Sequence, residues 1–152
     1  MASFSESVLI NAPQETVFQA CSDFANAPSR IPGIKRVEML TSGPVGVGTR
    51  FKETRVMFKR EATEEMEVTK FDRPRSYTLG CQSCGCVFES TCRCEPEAGG
   101  TRVTLDFNTK AVSLMAKLMT PLSWLMMGSM KKCIMKDFED IKASVERAPV
   151  AK

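Results

Sequence analysis

The 152-residue sequence contains no histidine. This absence removes the commonest general base, every Ser-His or Cys-His catalytic pair and every imidazole ligand for a metal ion. Carboxylates, lysine, tyrosine and cysteine remain as the side chains that can carry acid–base or nucleophilic chemistry. The range of reactions open to this chain is therefore narrow.

A strong charge of one sign is also missing. The 21 Lys and Arg residues and 18 Asp and Glu residues give a net charge of +3, and basic positions alternate with Glu along the chain. Nucleic-acid binding needs a basic patch or stripe, and no run of Lys or Arg is longer than two residues. We therefore expect no nucleic-acid partner.

Long uninterrupted apolar runs are absent as well. The start, "MASFSESVLINAP", has neither a basic n-region nor an apolar h-region, so we expect no secretory signal and a cytoplasmic protein with reduced thiols. Lys117, Thr120, Pro121 and three serines interrupt "AVSLMAKLMTPLSWLMMGSM". A stable span needs about 20 apolar residues, so we predict none, although Trp124 would suit transient lipid contact.

What is present is a clear pattern of strands and helices. Ser5–Ile10 is predicted to be a strand. Pro13 and Glu15 then open a helix in which Val17, Phe18 and Cys21 form one apolar stripe. A second short helix is predicted in "ANAPSRIPG". Turn-rich separators then bound six further strands, which are predicted at Ile34–Leu40, Thr49–Phe58, Ala62–Phe71, Ser76–Gln82, Val87–Glu95 and Thr101–Thr109.

The last third is predicted to be helical. Apolar residues from Met115 to Val145 keep a helical period, and Thr120-Pro121 marks a kink or a restart because proline has no N–H to donate. The order β-α-α-β6-α predicts an α+β fold in which a long helix packs on one antiparallel sheet. We expect a single domain over residues 1–147 and a flexible tail over residues 148–152.

Several segments resemble one superfamily. "VLINAPQETVFQACSDFANAPSRIPGIKRVEML", "GVGTRF", "VTKFDRPRSYTL" and "PEAGGTRVTLDF" are similar to the START-like helix-grip superfamily (SRPBCC), in its polyketide cyclase/dehydrase branch. The resemblance runs from about Ser5 to Val145, and "INAPQETVF" and "FDRPRSY" are its most specific parts. It implies a curved sheet that grips the C-terminal helix around a deep cavity for apolar small molecules or lipids. It implies no particular active site, because catalytic residues are not shared across the superfamily.

Strand alternation predicts which side chains face that cavity. One row of each strand is apolar and the other is polar, and the apolar rows of neighbouring strands must lie on the same face. The methionine-rich segment of the last helix would adapt to ligands of varied shape, although a methionine-rich core is the common explanation. The predicted ligand-binding residues are Phe51, Arg55, Glu64, Met66, Tyr77, Leu79, Phe88, Cys92, Leu105, Phe107, Met119, Leu122, Met126 and Met130.

Two hairpin registers follow from the turns. In the hairpin around "SCG", we predict that Cys81 opposes Phe88, Leu79 opposes Ser90 and Tyr77 opposes Cys92. A turn at Lys59-Arg60 predicts the pairs Met57–Ala62, Arg55–Glu64, Glu53–Met66 and Phe51–Val68. The second register brings an Arg55–Glu64 pair and nearby Glu53 to the inner face. Because charges there are costly unless paired, this trio is a polar handle for a ligand, a solvated pair near an open end of the sheet, or the product of a one-residue error in the predicted register.

Five of the seven cysteines fall within "CQSCGCVFESTCRC", Cys81 to Cys94. Cys81, Cys84 and Cys86 surround the predicted hairpin tip and form a candidate metal site that is one ligand short of the four a structural zinc site needs. Cys92 lies roughly 20 Å along the strand from Cys86, at about 3.3 Å per residue, and cannot join that site. We expect no bound metal, and we predict that Cys92 and Cys94 line the cavity as small apolar side chains.

Two main functional hypotheses follow. The first is binding or transport of an apolar or amphipathic small molecule, lipid-like or polyketide-like, between the sheet and the C-terminal helix. The second is a polyketide cyclase/dehydratase-type enzyme with Glu64 or Glu53 as the acid or base and Tyr77 as the proton donor or a hydrogen-bonding group. A thiol-metal module is a third hypothesis. We expect no cofactor and either a monomer or a homodimer.

Overall fold

The computed structural model describes residues 2–57, 59–83, 86–118 and 120–147. Within these residues seven antiparallel strands form one curved sheet in the order β1-β7-β6-β5-β4-β3-β2. The strands are β1 Ala2–Ile10, β2 Ile34–Met39, β3 Arg50–Met57, β4 Arg60–Asp72, β5 Ser76–Ser83, β6 Cys86–Glu97 and β7 Gly100–Ala111. The helices are α1 Gln14–Ser22, a 3-10 turn Phe24–Asn26, α2 Ala27–Arg30, α3 Leu114–Leu118 and α4 Thr120–Arg147. The α+β fold and the element order are as predicted.

Helix α1 covers one part of the sheet closely. Pro13 stands immediately before it, and Val17, Phe18 and Cys21 form its buried face, as their spacing predicts. The ring of Phe18 meets those of Phe71 and Tyr77 edge-on, with ring centroids 5.4 and 5.9 Å apart. This aromatic packing fixes α1 over the ends of β4 and β5.

Helix α4 closes the other part of the concave face. It packs against β1, α1 and α2. Phe138, Ile141 and Val145 on α4 are buried and belong to the same hydrophobic core as the inward residues of the sheet. The C-terminal half of α4 is therefore held against the sheet by an apolar stripe of helical spacing.

The hairpin formed by β5 and β6 has the predicted register. Cys81 lies opposite Phe88, and Tyr77 lies opposite Cys92. Cys92 and Cys94 face inward and are 2% and 0% exposed. The run of five cysteines is therefore split between a hairpin tip and a buried strand, as predicted.

The predicted register of the β3–β4 hairpin is wrong. The pairs Met57–Ala62, Arg55–Glu64, Glu53–Met66 and Phe51–Val68 do not form. The observed pairs are Met57 with Arg60, Arg55 with Ala62, Glu53 with Glu64, and Phe51 with Met66. The turn is shorter than expected, with Lys59 in the left-handed region at a φ of 64°. Because the error is an even number of residues, every inward side chain remains inward.

The last third is helical on both sides of Met119, which lies outside the described residues. α3 ends at Leu118 and α4 begins at Thr120, and the kink or restart at Thr120-Pro121 stays a prediction. Met115 and Leu118, which fit the apolar helical period, are 70% and 69% exposed and do not pack in the core. Periodicity therefore identifies the helix here without identifying a buried face. Within the described part of the chain, no helix is long and apolar enough to cross a membrane.

Candidate functional site

A cavity of about 290 Å³ lies between the concave face of the sheet and the helices. Its sheet side includes the apolar side chains Met66, Tyr77, Leu79, Phe88, Leu105 and Phe107. Its helical side includes the α4 residues Cys133, Ile134, Asp137, Phe138 and Ile141. The five α4 residues fall at helical spacing, so one face of α4 forms this wall. Phe24, Ala27, Ile31 and Ile34 close the end next to α2.

One end of this apolar cavity is charged. Arg55 on β3 donates from Nε to Glu53 Oε1 at 2.9 Å and from Nη1 to Asp137 Oδ2 at 2.9 Å. The three side chains are 14% to 19% exposed, so all are largely removed from solvent. The guanidinium holds a sheet carboxylate and a helix carboxylate at once, and it thereby ties α4 to β3. This charged cluster, Arg55, Glu53 and Asp137, is the main polar feature of the cavity.

A second polar pair lies beside the charged cluster. Glu64 lies opposite Glu53 in the sheet register. The Cys81 thiol donates to Glu64 Oε2 at 3.7 Å. Burial raises the pKa of Cys81 to about 11, and the negative charge of Glu64 adds to the effect. Cys81 is therefore a protonated hydrogen-bond donor near neutral pH rather than a reactive thiolate.

The surroundings of Asp137 favour its protonated, uncharged form. Burial raises the pKa of Asp137 to about 6, with Glu53 and Asp140 adding repulsion, although the Arg55 guanidinium opposes the shift. For Arg55 itself burial lowers the pKa, but the charges of Glu53 and Asp137 outweigh burial and raise it. Asp137 is therefore a cavity carboxyl that can gain or lose a proton close to neutral pH.

Tyr77 lies in the cavity wall, and its hydroxyl already has a hydrogen-bond partner. The Tyr77 hydroxyl donates to the carbonyl oxygen of Cys21 at 3.0 Å. Burial raises the pKa of Tyr77 well above its usual value, and the neighbouring thiols add to the shift. The hydroxyl therefore fastens the end of α1 to the sheet, which leaves it poorly placed to act as a proton donor.

The structure divides the predicted ligand-binding residues into three groups. Arg55, Glu64, Met66, Tyr77, Leu79, Phe88, Leu105 and Phe107 lie in the cavity wall. Phe51 and Cys92 are buried in the core beneath it, at 1% and 2% exposure. The third group lies outside the described residues. It consists of Met119 and the side chains of Leu122, Met126 and Met130, and Cys84 of the predicted tip site lies outside them as well. Contact of any of these residues with a ligand stays a prediction.

Sequence reasoning missed Asp137 and Cys133. Asp137 lies three residues after Ile134 and four before Ile141, so it is a carboxylate on the apolar stripe of α4. A charged residue at an apolar position is a signal that could have identified it. Its pairing with Arg55, 82 positions away in sequence, depends on the packing of α4 over β3 and carries no local signal.

A second cleft of about 370 Å³ lies outside the cavity, between α1 and the end of α4. Its wall includes Glu15 and Arg73, which form an exposed ion pair with each other, and Gln19, whose side-chain oxygen accepts from Arg73. Its charged side chains are thus already paired at the protein surface, Arg30 with Asp23 among them. The inner cavity, with its apolar wall and buried charges, is the better candidate for a ligand site although its volume is smaller.

Several solved structures of other proteins have the same fold as this chain. Ara h 8.0201 has 18% sequence identity and a TM-score of 0.77 over 97% of this chain and 99% of that one. The Zhui aromatase/cyclase from Streptomyces sp. R1128 has 15% identity and a TM-score of 0.74 over 96% and 94%. A START superfamily protein from Mycobacterium smegmatis has 17% identity and a TM-score of 0.74 over 95% and 97%. At these identities the likeness establishes the helix-grip fold alone.

The sequence itself identifies the family. No curated protein matches this sequence. The sequence model of the family described as "Polyketide cyclase / dehydrase and lipid transport" matches residues 1–146. The predicted resemblance to the START-like superfamily is therefore confirmed. The chain belongs to the polyketide cyclase/dehydrase and lipid transport family.

Proposed function

We propose that this protein binds or carries an apolar or amphipathic small molecule in the cavity between the sheet and α4. The observation that carries the proposal is an apolar cavity of about 290 Å³ with buried charges at one end only. A small-molecule site combines apolar walls with a few polar groups that fix orientation. The apolar body of the ligand would lie against Leu79, Phe88 and Leu105, with its polar end at the charged cluster.

The charges of the cavity select the chemistry of the polar end. Three carboxylates, on Glu53, Glu64 and Asp137, face one guanidinium, on Arg55. A ligand carboxylate placed there would meet like charge, which is costly in a partly desolvated site. A phenol, alcohol or amine would donate to the carboxylates instead. The preferred ligand therefore has an apolar ring or chain ending in a hydrogen-bond donor.

A calorimetric titration with 2-naphthol and 2-naphthoate tests this polarity, because the two compounds share their rings and differ in the polar end. We expect 2-naphthol to bind at least tenfold more tightly. In Ser90→Trp the indole would fill the cavity and abolish binding, because Ser90 lies in the wall. In Glu89→Trp, the matched control, the same side chain stands on the exposed outer face of β6 and binding should persist.

Two results would contradict the proposal. Equal affinity in Ser90→Trp and Glu89→Trp would place binding outside the cavity, and tighter binding of 2-naphthoate would reject the assigned polarity. Circular dichroism confirms that each variant folds, and the milder Leu79→Phe replaces Ser90→Trp if that variant does not. Native mass spectrometry of freshly purified protein then looks for a ligand retained from the cell.

A cyclase or dehydratase activity is the second candidate. The observation that favours it is Asp137, a cavity carboxyl with a pKa of about 6, since such a group can exchange protons near neutral pH. Glu53 and Asp137 both pair with Arg55, and the Tyr77 hydroxyl is bound to Cys21. The raised pKa of Asp137 makes it the better acid–base candidate, with Glu64 beside it in the cavity wall. Turnover of a poly-β-ketone thioester that is lost in both Asp137→Asn and Glu64→Gln would establish it. No turnover by the wild type would leave the binding function.

The domain organisation and location follow from the same proposal. We infer that residues 1–147 act as one ligand-binding domain, since elements from β1 to α4 contribute to one core. The six described cysteines are free thiols, which suits a reducing compartment such as the cytoplasm. Sedimentation of the purified chain distinguishes the monomer from the homodimer.

A further inference from the structure

Three sulfur atoms from distant parts of the sequence come together beneath α1. Cys21 lies in the last turn of α1, and Cys92 and Cys94 lie on the inward row of β6. Their Sγ atoms all lie within 4.8 Å of one another. The three residues are 9%, 2% and 0% exposed, and each is a free thiol. This group of three cysteines, the sulfur cluster, is distinct from the charged cluster and from the hairpin tip.

The spacing suits a metal ion bound by three sulfurs. Three sulfurs arranged in a plane around one ion at about 2.3 Å from it lie about 4.0 Å from one another. That value falls within the 4.8 Å limit of the sulfur cluster. Rigid elements hold the donors, because the Gln14 amide at the start of α1 donates to the Cys94 carbonyl oxygen at 2.8 Å and Tyr77 donates to the Cys21 carbonyl oxygen. The sulfurs therefore need little rearrangement to converge on an ion.

The donor set indicates the kind of ion. Among the described residues, the sulfur cluster includes no carboxylate, and the chain has no histidine. Hard cations such as Mg²⁺ and Ca²⁺ need oxygen ligands, and structural zinc sites almost always have four ligands. Thiolates favour soft ions, among which copper(I) accepts three sulfur ligands. The cluster therefore matches copper(I) better than zinc.

We propose that Cys21, Cys92 and Cys94 form a binding site for one copper(I) ion. The ion enters from the ligand cavity, since Cys21 is part of the cavity wall. The ion binds the sulfurs, and each thiol that ionises on binding releases one proton. No electron is transferred. The proposed function needs no metal, so copper(I) binding would be an additional property of the chain. Its test does not depend on whether the small-molecule ligand binds.

Competition with the chelator bathocuproine disulfonate tests the proposal. The anaerobic, reduced full-length protein is titrated into the copper(I) complex of the chelator, and the loss of its colour measures transfer. We expect the wild type to take up one tightly held ion per chain, with an ultraviolet thiolate-to-copper band. Cys92→Ala and Cys94→Ala should weaken that binding at least tenfold, whereas Cys86→Ala, at the hairpin tip, should keep it.

A second measurement covers the case in which the buried variants fail to fold. Cys21→Val changes the most exposed member of the cluster and should lose the ion while its circular dichroism stays unchanged. In the wild type, copper(I) should protect Cys21, Cys92 and Cys94 from alkylation by iodoacetamide, as mapped by mass spectrometry, and leave Cys86 reactive. Failure to compete with the chelator, loss of binding in Cys86→Ala alone, or tighter binding of zinc than of copper(I) would overturn the proposal.

Discussion

One sheet face supports two different interiors. Beneath α1, Phe18, Cys94 and Val103 are 0% exposed and the space is filled. Beneath α4 the same face bounds a cavity of about 290 Å³ that holds Arg55 between two carboxylates. The strands are continuous across both regions, so the sheet alone does not explain the difference.

The covering helices explain it. α1 is fastened close to the sheet by the ring of Phe18 and by the hydrogen bonds of Gln14 and Tyr77. α4 meets the core mainly through Phe138, Ile141 and Val145 in its C-terminal half, and the Arg55–Asp137 ion pair lies next to them. The region under α1 is therefore packed with apolar side chains, while the region under α4 leaves a cavity with the charged cluster at one end.

The largest expected effect comes from truncating a ring in each region. Phe18→Ala should reduce the free energy of unfolding by about 4 kcal/mol, because Phe18 is fully buried and the truncation leaves a new cavity in a packed core. Phe88→Ala should cost less than half as much, because Phe88 already borders empty space. Urea unfolding of the three proteins gives the comparison. Equal losses of unfolding free energy in the two variants would show that the region beneath α4 is packed as densely as the region beneath α1.

Removing the central charge gives the next effect. Arg55→Met leaves Glu53 and Asp137 largely buried without their partner, and we expect a loss of about 3 kcal/mol together with weaker binding of 2-naphthol. Arg75→Met is the matched control, since the Arg75–Asp72 ion pair is exposed and should contribute little stability. Similar unfolding midpoints for the two variants would show that the charged cluster is solvated.

The pH dependence of Asp137 gives a comparable or smaller effect. A carboxyl whose pKa rises from 3.8 to about 6 on folding favours the folded state when protonated. Its contribution is therefore lost as pH rises from about 4 through about 6, by about 3 kcal/mol. Lowered carboxyl pKa values at Asp72, Glu97 and Glu146 act in the opposite direction, so the quantity to measure is the difference between wild type and Asp137→Asn.

In that comparison the Asp137→Asn variant should gain stability relative to wild type across this pH window. Arg55, Glu53 and Asp140 are the charged groups that act on Asp137, and all three are kept in the variant. Urea unfolding at intervals between about pH 4 and about pH 7 provides the measurement. A difference that stays constant with pH would mean that Asp137 titrates in the folded protein as it does in the unfolded chain.

Much of the fold is readable from the sequence. Alternation identifies the strands, and proline and glycine mark their ends, because both signals are local. The face of each strand is also predictable, which is why Leu79, Phe88 and Leu105 lie in the cavity wall as expected. The Arg55–Glu64 pair is wrong because turn length sets register, and the short turn before Arg60 carries no distinctive residue pair such as Asn-Gly.

The contacts that define the two candidate sites are not local. Each cysteine of the sulfur cluster occupies an apolar position on its own helix or strand. The three come together only because α1 packs over β6. Asp137 likewise meets Arg55 only because the placement of α4 brings it within hydrogen-bonding distance of a side chain on β3. Such contacts depend on the packing of whole elements, which periodicity does not encode. Met115 and Leu118 show the converse, since a regular apolar pattern there leads to exposed side chains.

The length of the turn between β3 and β4 determines which side chains of this hairpin face the cavity. Phe51, Glu53 and Arg55 point inward because alternate residues of a strand share a face. Lengthening or shortening the turn by two residues would move the partners along β4 and still deliver the same kinds of side chain to the cavity. During evolution the turn can therefore change in length by two residues while charged side chains stay in the cavity. A change of one residue would instead replace the inward side chains of one strand by its outward ones.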